Sequence, residues 1–190
     1  CDKEVSQEVG AANREGSGRS ATAGGRPIPV SVKTRVGYDR VIIENWLATL
    51  LEEGPAAVSL HGRTLEQGYK GEADWQAIAR AAEIAKASNT LILGNGDVRD
   101  LRDAHRRVGQ TGVDGVLIGR SAQGDPWIFR DKNAVKQALR LNHELIPGTA
   151  SVDLEERFRV IVEHCEHFER LGGRFRFVAM RKHLTWYCRN

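Results

Sequence analysis

The sequence predicts an α/β fold built on parallel strands. Two observations carry that prediction. Strand-like and helix-like segments alternate four times, about 30 residues apart, the size of a βα unit. Each strand-like run is short and rich in β-branched or aliphatic residues, and each helix-like run is amphipathic, which implies parallel pairing through crossover helices. Two architectures fit this pattern: a doubly wound sheet, or part of an eightfold α/β barrel, of which four βα units make half.

Composition bounds the function classes. The 190 residues are 41% hydrophobic and 28% charged, the balance of a globular chain rather than a disordered, collagenous or disulfide-stapled one. A complete eightfold barrel takes roughly 250 residues, more than are present. No run of about 18 apolar residues occurs, so no membrane association is expected. The opening Cys1-Asp2-Lys3-Glu4 is charged and unlike a signal peptide. Net charge is +3, too mild to imply nucleic-acid binding by itself. The distribution says more: Arg170 to Asn190 holds six basic residues and no Asp or Glu. Cys1, Cys165 and Cys188 have no metal-ligand spacing, so no metal is expected, and an odd count of thiols fits a reducing, cytoplasmic setting.

The elements follow in order. Residues 1–26 read as a flexible lead-in, because Gly10 to Gly25 contains no Val, Ile, Leu or aromatic residue to offset its ordering entropy. A short helix fits within Asp2 to Val9. Strands are predicted over 28–34, 56–61, 90–94 and 113–118. Helices are predicted over 40–53, with Val41, Ile42, Trp46, Leu47, Leu50 and Leu51 on one side, and over 74–87, with Trp75, Ile78, Ala82 and Ala85 as its stripe. A third spans 99–108, with Asp97 as its expected N-cap. Asp125-Pro126 opens a fourth, Pro taking the first helical position. After Pro147-Gly148 a long helix over 151–171 carries Leu154, Phe158, Ile161, Val162, Cys165 and Phe168 on one face and is capped by Ser151. Gly172-Gly173 ends it, and 175–188 reads as one more helix. Cys165 and Cys188 are expected to be buried thiols.

In parallel α/β folds, ligands bind at the C-terminal ends of the strands. All four predicted strands end in polar residues: Lys33-Thr34-Arg35, His61-Gly62-Arg63-Thr64, Gly94-Asn95-Gly96-Asp97 and Gly119-Arg120. Folding alone does not require this. Lys33 lies in an otherwise apolar strand; it either snorkels to the strand mouth or faces an electron-rich ligand edge. His61 is either a satisfied core histidine or a site residue. Gly94-Asn95-Gly96-Asp97 and Gly119-Arg120 have phosphate-loop character, glycine allowing close backbone approach and arginine offering a guanidinium fork. A plain turn is the other reading of Gly96.

These residues resemble the tRNA-dihydrouridine synthases. The resemblance rests on Val30 to Arg35, His61-Gly62-Arg63-Thr64, Gln67 to Trp75, Gly94-Asn95-Gly96-Asp97, Thr111 to Asp114, Gly115 to Phe129, and Met180-Arg181-Lys182-His183. It covers residues 28 to 190. It implies the C-terminal half of a (β/α)8 TIM barrel over 27–145 and part of a helical tRNA-binding domain over 146–190. It implies FMN as cofactor, NADPH as reductant and tRNA uridine as substrate, reduced to dihydrouridine. By resemblance, Lys33 contacts the flavin ring and His61 lies beside it, while Asn95, Gly96, Asp97, Gly119 and Arg120 hold the ribityl phosphate end. Arg63, Arg176, Arg181 and Lys182 become candidate substrate contacts, and Phe175, Phe177, Trp186 and Tyr187 are interleaved with the basic tail. Trp75 and Trp127 read as packing residues.

The departures concern catalysis. The family's Asn-x-Gly-Cys-Pro loop, whose cysteine is the acid that protonates the uracil, has no match here. Cys1 stands upstream of the first strand and is followed by Asp2 instead of Pro, leaving it the sole candidate for that acid. The expectation is therefore a chain lacking the first barrel half. Its open sheet edges would invite self-association. The alternatives are a non-catalytic tRNA-binding remnant and another FMN-dependent barrel oxidoreductase acting on a small molecule.

Overall fold

A computed structural model describes residues 22–23, 26–130, 133, 152–172 and 174–188. Six strands and five α-helices are present among them. Strands β1 (Thr22–Ala23) and β2 (Arg26–Pro27) form a small antiparallel hairpin with Thr22 opposite Pro27. The lead-in reading missed it, although a Gly-Gly pair between short segments is a hairpin signal. The rest of that lead-in, including Cys1 and the Asp2 to Val9 helix, lies outside the described residues.

The main sheet has four parallel strands in sequence order: β3 (Ser31–Arg35), β4 (Ala57–His61), β5 (Leu91–Asn95) and β6 (Gly115–Leu117). Helices α1 (Ile43–Glu52), α2 (Trp75–Ala85) and α3 (Leu101–Thr111) follow the first three strands. This is the βα alternation of half an eightfold barrel. Among the described residues, the outer edges of β3 and β6 are unpaired.

The register lines the strands up in rows across the sheet. Lys33 pairs with Ser59, Ser59 with Leu93, and Leu93 with Gly115. Two residues on, Arg35, His61, Asn95 and Leu117 form the last row. Strand side chains alternate between faces. Val58, Leu60 and Ile92 are therefore buried under the helices, against Leu47, Ile78, Ala81 and Trp75. Lys33 and the last row sit on the other face, which lines the cleft at the strand ends.

Local chemistry sets the helix limits. Asp74 caps α2 by accepting from the Ala77 N–H at 2.8 Å, and Asp100 caps α3 by accepting from the Asp103 N–H at 2.6 Å. The cap of α3 is thus Asp100 rather than the expected Asp97. Gly112 closes α3 in a left-handed conformation, φ 69°. The inward face of α1 is Ile43 and Leu47, with Leu50 and Leu51 partly buried. Val41 and Ile42 precede the first turn and stay exposed. Trp46 turns toward the sheet edge, where its indole N–H donates to Thr34 Oγ1 at 3.1 Å.

After β6 the chain makes two 3₁₀ turns, Arg120–Ala122 and Pro126–Phe129. Pro126 therefore opens a 3₁₀ turn; the expected continuation into a fourth helix falls outside the described residues. Helix α4 (Leu154–Gly172) is capped by Asp153, which accepts from the Glu156 N–H at 2.7 Å. The expected cap Ser151 lies outside the described residues. The predicted helix over 175–188 divides into a 3₁₀ segment, Arg174–Met180, and α5 (Arg181–Tyr187). These helices dock on the loop after β6. The Trp127 indole N–H donates to Glu156 at 3.3 Å, Arg157 lies over the Trp127 ring, and Arg157 donates to the Tyr187 carbonyl at 3.1 Å. Gly124 lies so close to the Trp186 backbone that no Cβ would fit there. Trp127 is thus a packing residue. Cys165 is half-buried and Cys188 is exposed, which corrects the expectation of two buried thiols; Cys188 lies just past the end of α5. Among the described residues, no helix is long and apolar enough to cross a membrane, and no group of three His, Cys, Asp or Glu could hold a metal.

Candidate functional site

The C-terminal ends of β3 to β6 open into one cleft of about 930 Å³, within the range of small-molecule sites. Its walls bring together Lys33, His61, Asn95, Gly96, Asp97, Gly119 and Arg120, all singled out from the strand ends. Arg35, Tyr69 and Arg99 join them.

The β5 end is shaped by the turn Gly96-Asp97. Gly96 has φ 128°, and a Cβ there would stand 2.5 Å from the Ala73 Cβ and 3.1 Å from His61 Cδ2. Only glycine fits. The Trp75 indole N–H donates to the Gly96 carbonyl at 3.0 Å and pins the turn from beneath. Asp97 follows with φ 53°, an unusual conformation for a residue with a side chain. Its carboxylate accepts from Arg63 Nη1 at 2.9 Å and Nη2 at 2.8 Å, from the Ala73 N–H at 2.9 Å, and from Arg120 Nη2 at 2.7 Å. Burial pushes this carboxyl up, but the bonds from Arg63 and Ala73, with the charges of Arg63 and Arg120, outweigh it and hold Asp97 below the usual carboxylate range.

Lys33 Nζ donates to Asn95 Oδ1 at 3.3 Å, and Asn95 Nδ2 donates to the Leu117 carbonyl at 3.0 Å. Strands β3, β5 and β6 are thereby linked across the cleft floor, over β4. Partial burial, then the nearby Arg35 charge, lower the Lys33 ammonium below its ordinary value. His61 is 8% exposed. Burial, then the charges of Arg35, Lys33 and Arg63, depress its imidazole to about 4, against a smaller raising effect from Asp97. His61 is therefore neutral at physiological pH, able to accept or donate one hydrogen bond without adding charge.

Arg63 is placed differently from expectation. It is 2% exposed, and its guanidinium is spent on Asp97 and on the carbonyls of Lys70 and Gly71. It is not among the cleft-lining residues: its guanidinium is taken up by a partner 34 residues away in sequence, which its place after a strand does not reveal. Arg120 is its opposite, with a 55% exposed side chain over the Tyr69 ring. Arg181 and Lys182 are exposed on α5, with Lys182 Nζ 5.9 Å above the Trp186 ring. Neither lines the cleft among the described residues. Cys1 and the Arg176 side chain lie outside what is described. Trp75 is a packing residue, as expected, stacked under Arg107 at 4.7 Å.

The sequence pattern places Arg35 at a strand end and Tyr69 in the Gln67 to Trp75 stretch but assigns neither a role in the site. Arg35 Nη1 donates to the carbonyls of Thr64 and Gly68 at 2.8 and 3.1 Å, tying β3 to the loop that presents Tyr69. Its position in the last row of strand residues was the available signal.

A parallel βα half-barrel with cationic groups gathered at its strand mouths defines the class: an α/β-barrel-type protein whose strand ends form a ligand cleft. Comparison with known proteins narrows it. Residues 20–190 match the family model described as Dihydrouridine synthase (Dus), and the chain belongs to that family. It is similar to a probable tRNA-dihydrouridine synthase of Mycobacterium tuberculosis, 38% identical over 170 residues, covering 86% of this chain and 40% of that protein. It is similar to tRNA-dihydrouridine synthase B of Pseudomonas aeruginosa, 36% identical over 166 residues, covering 84% and 46%. A third similar protein is a probable tRNA-dihydrouridine synthase of Aquifex aeolicus, 38% identical over 104 residues, covering 55% and 32%. The chain thus spans less than half the length of these relatives.

Proposed function

We propose that residues 27–145 form the FMN-binding part, and 146–190 the tRNA-binding part, of a cytoplasmic tRNA-dihydrouridine synthase that reduces uridine with NADPH as ultimate donor. The observation that carries this reading is the convergence of Lys33, His61, Asn95, Gly96, Gly119 and Arg120 on one cleft in a chain of this family. The cleft fits the cofactor chemically. Its floor offers an ammonium and a fixed carboxamide, and its lip offers an exposed guanidinium beside Gly119, where a Cβ would meet nothing within 4 Å.

FMN, when bound, supplies hydride-transfer chemistry. The chain's own residues bind and orient. Lys33 presents positive charge to the electron-rich edge of the ring, and Asn95 holds the ammonium in place. Neutral His61 packs beside the ring without repelling it. Gly119 and Arg120 receive the phosphate, the glycine by close approach and the arginine by charge-assisted hydrogen bonds. Arg176, Arg181 and Lys182 contact tRNA phosphates, with nearby aromatic residues available to bases.

The test has two arms. Titration of the 190-residue chain with FMN, followed by flavin fluorescence, is expected to show binding that Lys33→Ala weakens. tRNA binding is expected to fall steeply with salt, and Arg181→Ala to reduce the log–log salt slope by about 1. Flavin binding unaffected by Lys33→Ala would overturn the flavin assignment. Salt-independent tRNA binding would overturn the tRNA assignment.

A further inference from the structure

We propose that Asp97 is a positioning residue: anchored by buried Arg63, its carboxylate fixes the Arg120 guanidinium at the cleft lip as a preformed anion receptor. The inference rests on reading Arg120 as the phosphate partner and goes beyond it. It assigns Asp97 and Arg63 a part that involves no ligand contact, whereas the sequence pattern placed Asp97 among the phosphate-holding residues.

Counting hydrogen bonds excludes Asp97 as a ligand group. An ionised carboxylate has about four acceptor sites. Here Oδ1 takes Arg63 Nη1 and Arg120 Nη2, while Oδ2 takes Arg63 Nη2 and the Ala73 N–H. No acceptor capacity remains for a ribityl hydroxyl, and a carboxylate facing a phosphate would repel it. What the group can do is hold cations. Its attachment to Arg63 uses the parallel two-bond geometry in which guanidinium and carboxylate match best. Arg63 is itself immobile, since its Nε donates to the Lys70 carbonyl at 3.2 Å and its Nη2 to the Gly71 carbonyl.

Those two carbonyls belong to the loop that carries Tyr69. The Tyr69 ring lies 5.3 Å from Arg120 Cζ, so the same buried arginine secures both supports of Arg120: the carboxylate at its edge and the aromatic face beside it. Among the described residues, Arg120 makes no other side-chain hydrogen bond, which leaves its Nε and Nη1 N–H groups for a ligand. Two guanidinium groups sharing one carboxylate leave a net positive charge, and it resides on the exposed member. A long, flexible arginine held in advance loses less freedom when an anion arrives. Asp97 also accepts a left-handed backbone, and asparagine tolerates that conformation too. Asp97→Asn therefore removes the charge without disturbing the turn.

The test is a double-mutant cycle read with FMN and with riboflavin, which lacks the phosphate. Asp97→Asn is expected to weaken FMN roughly tenfold in the native background and less than about twofold in an Arg120→Ala background, because the two act as one unit. Riboflavin binding should stay unchanged by Asp97→Asn. Equal losses in both backgrounds, or an equal loss for riboflavin, would overturn the positioning role. A ligand-free measurement separates this claim from the phosphate reading. Nitrogen NMR of the arginine side chains should show slow rotation of the Arg120 guanidinium in the native chain and fast rotation in Asp97→Asn. The doubly neutral Arg63→Gln/Asp97→Asn variant, which leaves no unpaired buried charge, should show the same fast rotation. Slow rotation retained in these variants would overturn the proposal. Slow rotation lost, with FMN indifferent to Arg120→Ala, would support positioning and remove phosphate as what Arg120 receives.

Discussion

The two parts of the chain are stabilised in different ways. Under the parallel sheet, fifteen buried hydrophobic residues form one cluster, from Val36 to Val113. In the helices after Leu154, Met180 and Tyr187 are the buried hydrophobic residues among those described, and Leu154, Phe158 and Val162 face outward along α4. Contacts there are aromatic and polar: His164 bonds the Tyr187 hydroxyl at 3.2 Å and meets His183 edge-on, and Phe168 meets Phe177. A dense core can hold a small cleft to fractions of an ångström, which a rigid cofactor needs. A thinly packed helical surface is suited to following a large, charged partner.

The sharpest way to break this contrast is to hollow each region. Leu60→Ala, at a fully buried site under the sheet, should lower unfolding stability by about 3 kcal/mol, whereas Phe168→Ala in the helical part should cost about half that. Urea melts of both variants check this, and equal losses would erase the distinction. Next in size is Gly96→Ala. Its Cβ would stand 2.5 Å from that of Ala73 on a backbone that resists side chains, costing about 2 kcal/mol. Displacement of the adjacent Asp97 should weaken FMN more than that stability loss explains. Chemical denaturation and flavin titration on the same preparation separate the two effects.

The third prediction concerns acid. The folded-state value of His61 is depressed to about 4 from an ordinary 6.5, so its contribution to stability is full above pH 6.5 and is lost as pH falls toward 4. The melting temperature should drop by roughly 5 °C over that interval, and His61→Gln should flatten the drop. An unaltered pH profile in His61→Gln would show that the imidazole is not buried neutral. The smallest effects belong to the outer face of α4: Phe158→Ser should change stability by less than about 0.5 kcal/mol, and a larger loss would mean that face is covered.

Much of the sheet was legible in the sequence because buried parallel strands are short apolar runs, and the polar residues that close them stand at the ligand-facing end by topology. Lys33, His61, Asn95 and Arg120 could therefore be placed on one rim before any geometry was known. The hub around Asp97 was not legible. Its partners come from positions 63, 73 and 120, and nothing local distinguishes an aspartate that caps a helix from one that holds two arginines. The same limit hid the burial of Arg63, whose guanidinium donates to the Lys70 and Gly71 carbonyls. On the helical side, the run from 175 to 188 has continuous helical spacing, yet its first part tightens to a 3₁₀ helix where Phe177 turns against Phe168. Periodicity registers the face but not the winding.

If the strand-end cleft receives FMN as proposed, Arg120 meets its phosphate end. Phosphorus NMR of FMN observes that end directly. Addition of the chain is expected to shift and broaden the FMN phosphate signal, and Arg120→Ala is expected to abolish the change while leaving the fold, judged by circular dichroism, intact. A phosphate signal that the native chain leaves untouched, or that Arg120→Ala perturbs as much as the native chain does, would rule out phosphate binding through Arg120.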